Sequence, residues 1–197
     1  MADQHLDDAG FDLIFKEARS YNGWHDRDID DDVLQKIYDM MRYGPTSANC
    51  CPMRLIFVKS DEAKEKLKPC LMEGNVEKTM SAPVTVLMAN DMDFYEHMPF
   101  LFPHTDAKSW FVGKEKFIAS TAERNGTLQA AYFMIAARGF GLDCGPMTGF
   151  SPKKTKEAFF PDQNVVVNML CNLGYGDPES IFERSPRFPF DDVCKVV

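Results

Sequence analysis

Apolar residues recur at helical spacing early in the chain. In "FDLIFKEARS", Phe11, Ile14, Phe15 and Ala18 follow the i, i+3, i+4, i+7 pattern, which predicts a first helix with one buried face. "DDDVLQKIYDMMRYGP" repeats the pattern through Val33, Leu34, Ile37, Tyr38 and Met41. Acidic residues crowd its first turn, and Gly44 and Pro45 end it. "RLIFV" at 54–58 and "VTVLMA" at 84–89 are short continuous apolar runs and read as strands. Between them the pattern predicts a helical segment from Asp61 broken at Pro69, then a short helix from about Asn75 to Met80 that stops before Pro83.

An aromatic-rich stretch, "FYEHMPFLFPHTDAKSWF", has no clean period. A long helix is predicted over roughly 115–138, with Leu128, Ala131, Tyr132 and Ile135 among its apolar positions and "GFG" at its end. A short extended piece leads into "CGPMTGFSP". Ser151 and Pro152 then start an N-capped helix to about Phe160. "VVVNMLCNLGYGD" is the last clear strand, and the tail is partly extended. About four strands at uneven intervals among many helices favour an α+β class over a doubly wound sheet.

At 197 residues, 45% apolar and 26% charged, with no repeat or low-complexity linker, the chain is expected to fold as one domain spanning 1–197. The net charge of −8 argues against nucleic acid as a partner. "MADQHLDDAGFD" lacks an apolar leader core, and no apolar run is long enough to span a bilayer, so the expected location is the cytoplasm with no membrane partner. The six cysteines show no C-x-x-C and no Cys/His pairing, so free thiols and no metal site are expected, even for the adjacent Cys50 and Cys51.

"GFGLDCG" at 139–145 has the spacing G-x-G-x-x-x-G and follows a helix, so it reads as helix termination rather than a dinucleotide fingerprint. There is no P-loop, no G-x-S-x-G elbow, and no histidine placed beside a nucleophile. What remains is a series of polar residues at element edges: Arg19-Ser20, "PTSAN" at 45–49, Asn75 with Lys78 on one helix face, "GPMTG" at 145–149, and Arg184 with Arg187. Singly, each also reads as a helix-end cation, a turn or a solvated pair.

In that order, "RSYNGW", "PTSANCCP", Asn75-x-x-Lys78, "GLDCGPMTGF" and the basic "ERSPR" resemble the nitroreductase family of flavin mononucleotide (FMN) enzymes over nearly the whole chain. "NGW", "GPTSANC", "LFPH", "SWF", "GPMTGF" and "NLGYGD" resemble the branch that reduces malonic semialdehyde in pyrimidine degradation. The resemblance implies a dimeric nitroreductase-like fold, a mostly antiparallel sheet of about four to five strands packed by helices. It also implies FMN sites built from both chains, and ping-pong hydride transfer from NADH or NADPH through the flavin N5. Arg19, Ser20 and Arg187, with Arg184, would hold the phosphate, since a guanidinium fork matches a phosphate better than an ammonium does. Asn75 and Lys78 would face the pyrimidine edge of the ring, where a cation favours the reduced flavin. Pro45, Thr46, Ser47 and Asn49, and Gly145, Pro146, Met147 and Gly149, would line the ring, the glycines permitting close approach.

Two positions depart from the family pattern. Cys51 stands where the family has glutamine, and Asn22 stands where a second basic residue is common; Asn22 is still expected at the cofactor. No side chain is assigned as an obligatory acid or base, because the cofactor carries the chemistry. His104 or Lys108 is expected to meet the carboxylate of malonic semialdehyde on its way to 3-hydroxypropionate. The other readings are a broad nitro- or quinone reductase, a non-catalytic flavin or nucleotide binder, and a colourless interaction protein.

Overall fold

The structure is a computed structural model that describes residues 5–197; residues 1–4, the start of the acidic N-terminal stretch, lie outside the described residues. Four strands make one antiparallel sheet: β1 (Met53–Val58), β2 (Val84–Asp91), β3 (Asp143–Met147) and β4 (Val165–Gly174), in the order β1-β2-β4-β3. Met53 lies opposite Asn90, Val84 opposite Leu173, and Asp143 opposite Gly174. A bulge interrupts the β2–β4 register between Met88 and Ala89. Every residue of β2 is buried, because helices cover both faces of the sheet at its centre. That double cover is why "VTVLMA" reads as an unbroken apolar run rather than an alternating one.

The helices are α1 (Asp8–Phe11), α2 (Asp31–Met41), α3 (Asp61–Leu67), α4 (Glu73–Met80), α5 (Met98–Leu101), α6 (Glu115–Gly139), α7 (Pro152–Phe159) and α8 (Phe190–Val193). Leu34, Ile37 and Met41 of α2 and Phe133 and Ala137 of α6 pack on Val84, Val86, Met88, Cys171 and Leu173, covering one face. Leu67, Phe150 and Phe160, from α3 and the flanks of α7, cover Leu87, Ala89, Met147 and Leu170 on the other. A third cluster packs Phe94, Met98 and Phe111 of the aromatic-rich stretch against Cys50 and against Ile118 and Ala122 of α6.

The predicted Ser151 cap is present, its hydroxyl accepting from Lys154 N–H, and Ser60 caps α3 in the same way by accepting from Ala63 N–H. "GFG" ends α6 as expected, with Leu142 N–H donating back to Ala137 O and Gly141 at φ +78°. Three expectations are corrected. The first helix is a single α turn followed by a π-helical turn over Asp12–Lys16, which throws the i, i+4 stripe out of line. Phe11 and Phe15 consequently stay 46% and 55% exposed instead of forming a buried face, and Arg19 lies beyond the helix rather than at its end. On α6, Leu128 is exposed; the face turned inward carries Asn125, Gly126, Gln129, Ala130 and Phe133. Finally, Gly145, Pro146 and Met147 belong to edge strand β3, so only Thr148 and Gly149 of "GPMTG" lie beyond the strand.

One buried amide ties three elements together. Asn172 of β4 is fully buried; its Nδ2 donates to Lys78 O at 3.1 Å and Thr79 Oγ1 at 3.3 Å, and its Oδ1 accepts from Thr85 Oγ1 at 2.7 Å. Removing one partner of a buried hydrogen bond leaves the other groups unpaired away from water. Asn172→Ala is therefore expected to lower the unfolding free energy by about 3 kcal/mol in urea denaturation. A loss within experimental error would refute this role.

Candidate functional site

The segment after the π-helical turn runs beside the edge of β3. Ser20 bridges Cys144 in the parallel sense, and Tyr21 N–H donates to Cys144 O at 3.1 Å. This close approach needs Gly145: a Cβ there would sit 2.7 Å from Tyr21 O and 3.1 Å from the Trp24 ring. Gly145 thus lets the protein's own Tyr21–Trp24 segment pack against the edge of β3.

Beside this segment is a cleft of about 930 Å³ lined by Arg19, Ser20, Arg138, Phe182, Arg184 and Arg187, among others. Arg19 donates to Phe182 O; Arg184 Nη2 donates to Lys16 O at 2.6 Å; Arg187 Nη1 donates to Ser185 O and Pro186 O. Arg138, in the last turn of α6, donates from Nη1 to Ile14 O at 3.1 Å, and its buried Nε has no partner. All of these acceptors are carbonyls; among the described residues no carboxylate pairs with any of the four guanidiniums. In a chain of net charge −8, such a group is suited to an anion. Sequence reasoning missed Arg138, whose only local signal is a cation at a helix C-terminus.

The same segment carries Asn22 to α4. Lys78 Nζ donates to Asn22 Oδ1 at 3.3 Å, and Asn22 Nδ2 donates to Ser180 O at 3.4 Å. Trp24 Nε1 donates to Lys78 O, the carbonyl that Asn172 also binds, so two indirect partners fix the end of the helix that bears Lys78. Asn75 Nδ2 donates to Gly149 O at 2.7 Å, and a Cβ on Gly149 would overlap that amide. Asn75 therefore ties α4 to the turn after β3. Pro146 is half-buried in β3, while Met147 is a core side chain that accepts from Thr79 Oγ1 at 3.6 Å.

The loop holding Pro45, Thr46, Ser47 and Asn49 borders a different cleft of the chain. Ala48, Asn49 and Cys51 have φ of 49°, 53° and 39°, a left-handed conformation that costs a non-glycine residue about 1–3 kcal/mol. Local bonds offset that cost. Cys51 N–H donates to Thr46 Oγ1 at 3.3 Å, Cys51 Sγ donates to Asn49 Oδ1 at 3.3 Å, and Asn49 Nδ2 donates to Leu101 O at 2.9 Å. Tyr132 Oη donates to Pro45 O at 2.9 Å. A second cleft of about 530 Å³ adjoins this loop, lined by Asn49, Cys51, Arg54, His97 and Phe100 among others. Arg54 is committed to Asp91 at 2.5 Å.

His104 is exposed against the edge of the Phe102 ring. Lys108 is paired with Glu96 at 2.5 Å, and that bond raises its pKa. Neither is free of a neighbour, and the cleft beside the Pro45–Asn49 loop shares no lining residue with the Arg19 cleft.

The nitroreductase family profile matches residues 16–175. The chain belongs to the nitroreductase family. A Burkholderia lata protein named "Putative NADH dehydrogenase/NAD(P)H nitroreductase" is 53% identical over 97% of this chain and 98% of its own. Two solved structures share the nitroreductase fold. A protein of Exiguobacterium sibiricum in complex with FMN has a TM-score of 0.84 at 20% identity, covering 98% of this chain and 99% of its own. A nitroreductase family protein of Streptococcus pneumoniae has a TM-score of 0.83 at 19% identity, covering 95% and 100%. The sheet of this chain keeps to the lower end of the four to five strands that the resemblance implies for a nitroreductase.

All six cysteines are free thiols. Cys50 is wholly buried, and desolvation pushes its pKa up to about 11. Cys171 is raised well above the usual thiol range, chiefly by its hydrogen bond with Cys144 and by burial. A disulfide reagent at pH 7.5 attacks the thiolate, so the native protein should react first at exposed Cys194, more slowly at half-buried Cys51, and not at Cys50 until denatured. Mass spectrometry of the adducts reads the order. Modification of Cys50 in the native protein would show that its burial is wrongly assigned.

Proposed function

We propose that this single-domain chain is a cytoplasmic, FMN-dependent NAD(P)H oxidoreductase working as a homodimer. The observation that carries this reading is the cleft of about 930 Å³ where Arg19, Arg138, Arg184 and Arg187 meet; Glu17 and Glu183 also line it, but among the described residues neither forms an ion pair with these guanidiniums. Its donor set fits a phosphate dianion: guanidinium forks make bidentate, charge-assisted bonds, and Ser20 supplies a neutral donor. Lys78, held by Asn22 and placed by Trp24 and Asn172, presents a positive charge on the same side of the protomer as the Ser20–Asn22 segment. The cofactor, when bound, accepts hydride from NADH or NADPH and passes it to a substrate. The names of the relatives and the FMN complex of the Exiguobacterium protein support the choice of cofactor and reductant.

A homodimer accounts for two further features. The Pro45–Asn49 loop and the Arg19 cleft are separate on one chain, so a second copy is needed for both to line one ring. Large apolar side chains also stand exposed at both ends and along α6, including Phe11, Phe15, Leu128, Phe182, Phe188 and Phe190. Exposed apolar surface on this scale marks an interface.

The preferred substrate is malonic semialdehyde, reduced to 3-hydroxypropionate, on the motif resemblance of "NGW", "LFPH", "SWF" and "NLGYGD". Lys108 would have to be shared with Glu96 to meet its carboxylate, which leaves exposed His104 as the less encumbered candidate. The names of the relatives favour a second reading, a broad nitro- or quinone reductase.

The purified protein should be yellow and bleach with NAD(P)H; flavin that NAD(P)H cannot reduce would sink the enzyme reading in favour of a binder. Arg19→Ala and Arg187→Ala should each weaken FMN binding by about tenfold to a hundredfold, the size of one charge-assisted contact. Unchanged FMN titrations in both variants would remove the clamp. Steady-state rates with malonic semialdehyde, a nitroaromatic and a quinone should rank the aldehyde first, and a negligible aldehyde rate beside robust ones with the others would select the second reading.

A further inference from the structure

Thr121, Asn125 and Gln129 recur every four residues along α6 and are 5%, 1% and 5% exposed. Amides are costly in such positions unless their polar atoms are paired, so their partners show what the stripe does. Asn125 Nδ2 donates to Thr121 O at 2.8 Å, one turn back, which turns its Oδ1 away from the helix. That oxygen accepts the Ser47 N–H at 2.8 Å. One turn further on, Gln129 Oε1 accepts the Met53 N–H at 2.9 Å. The two amides therefore grip the chain where it enters the left-handed loop and where it leaves the loop for β1.

Residues four apart on a helix are separated by about 6 Å along its axis, so the chain between Ser47 and Met53 has to double back to reach both amides. The left-handed residues Ala48, Asn49 and Cys51 lie in that reversal. Gly126, between the two amides, lets α6 lie against β2: a Cβ there would overlap the amide of Asn90, which is opposite Met53 in the sheet. Gripping the Ser47 N–H also removes it from any cofactor contact and leaves the hydroxyl as the group Ser47 can offer.

We infer that Asn125 and Gln129 are positioning residues, which hold the strained loop in the one conformation that sets Ser47 and Asn49 against the flavin. The inference rests on the FMN reading above. Neither residue touches the cofactor; each acts through a backbone N–H of the loop.

The test compares Asn125→Leu and Gln129→Met, which remove the acceptors, with Asn125→Asp and Gln129→Glu, which keep an acceptor oxygen in place. All are measured as FMN-loaded full chains. In the first pair, hydrogen exchange across 47–53 should rise about tenfold. FMN occupancy should hold, because Arg19 and Arg187 are untouched. The visible circular dichroism of the bound flavin should change, and kcat for NAD(P)H oxidation should fall between about tenfold and a hundredfold, as expected for a misplaced site group. The second pair should recover most of the loss.

The inference is overturned if the first pair keeps wild-type flavin dichroism and kcat, if loop exchange does not change, or if the acceptor-retaining pair is equally impaired. Should Asn125→Leu fail to fold, Gln129→Met and its Glu counterpart decide the matter alone. A wild-type protein that takes up no FMN would instead bring down the FMN reading, whereas the loop-exchange arm would still report whether the two amides hold the loop.

Discussion

The face that α6 turns to the sheet governs much of what surrounds it. A helix of 25 residues with Leu128, Ala131, Tyr132 and Ile135 on one side would be expected to bury that side. The buried face is instead rotated away from Leu128, leaving Ala131, Tyr132 and Ile135 half-buried beside it; on that face alanines and Gly126 allow close approach and Phe133 supplies most of the bulk. Small residues bring the helix axis near the sheet, and that nearness puts Asn125 and Gln129 within hydrogen-bonding reach of the chain entering β1. From the same orientation it follows that Leu128 faces outward. It also follows that the C-terminal turn delivers Arg138 to the cleft lined by Arg19 and Arg187.

Much of the architecture was legible in the residues. Strands β1, β2 and β4, the start and end of α2, the Ser151 cap and the stop at "GFG" all follow from period, caps and breakers, because these are local signals. The face of α6 was not legible: amides in a helix read as solvent-facing, and only the loop across from them shows that their hydrogen bonds are met indoors. The π-helical turn at Asp12–Lys16 was hidden for a different reason, since nothing local distinguishes it from a regular turn. β3 was legible only as a short extended piece, and its run on through Gly145, Pro146 and Met147 was not, because "DCGPM" is short and contains glycine and proline, which a strand tolerates at a sheet edge.

The candidate site divides in the same way. Arg19, Arg184 and Arg187, far apart in sequence, were identified by family resemblance, and the fold brings them to one cleft. The resemblance could not disclose the groups that hold them in place. Trp24 and Asn172 fix the Lys78 end of α4, and Asn75 binds it to the turn at Gly149. The adjacent cysteines, the most conspicuous feature of the sequence, turn out to do structural work of two kinds. Cys50 is a small apolar group under Phe94 and Phe111, whereas Cys51 closes the loop through Thr46 and Asn49.

The pairing of Tyr21 with Cys144 has a consequence for the life of the chain outside its folded state. β3 is the last strand of the sheet, and a bare terminal strand offers a row of carbonyl and amide groups on which another chain can template. Ser20 and Tyr21 occupy part of that row, and Gly145 is what lets them come close enough to do so. The stretch that presents Arg19 to its cleft is thus also the stretch that blunts this edge. A chain that lost its grip there would expose a sticky strand at the same moment as it displaced the guanidinium proposed to hold the cofactor phosphate, so under that proposal binding competence and resistance to aggregation are joined in one short piece of backbone.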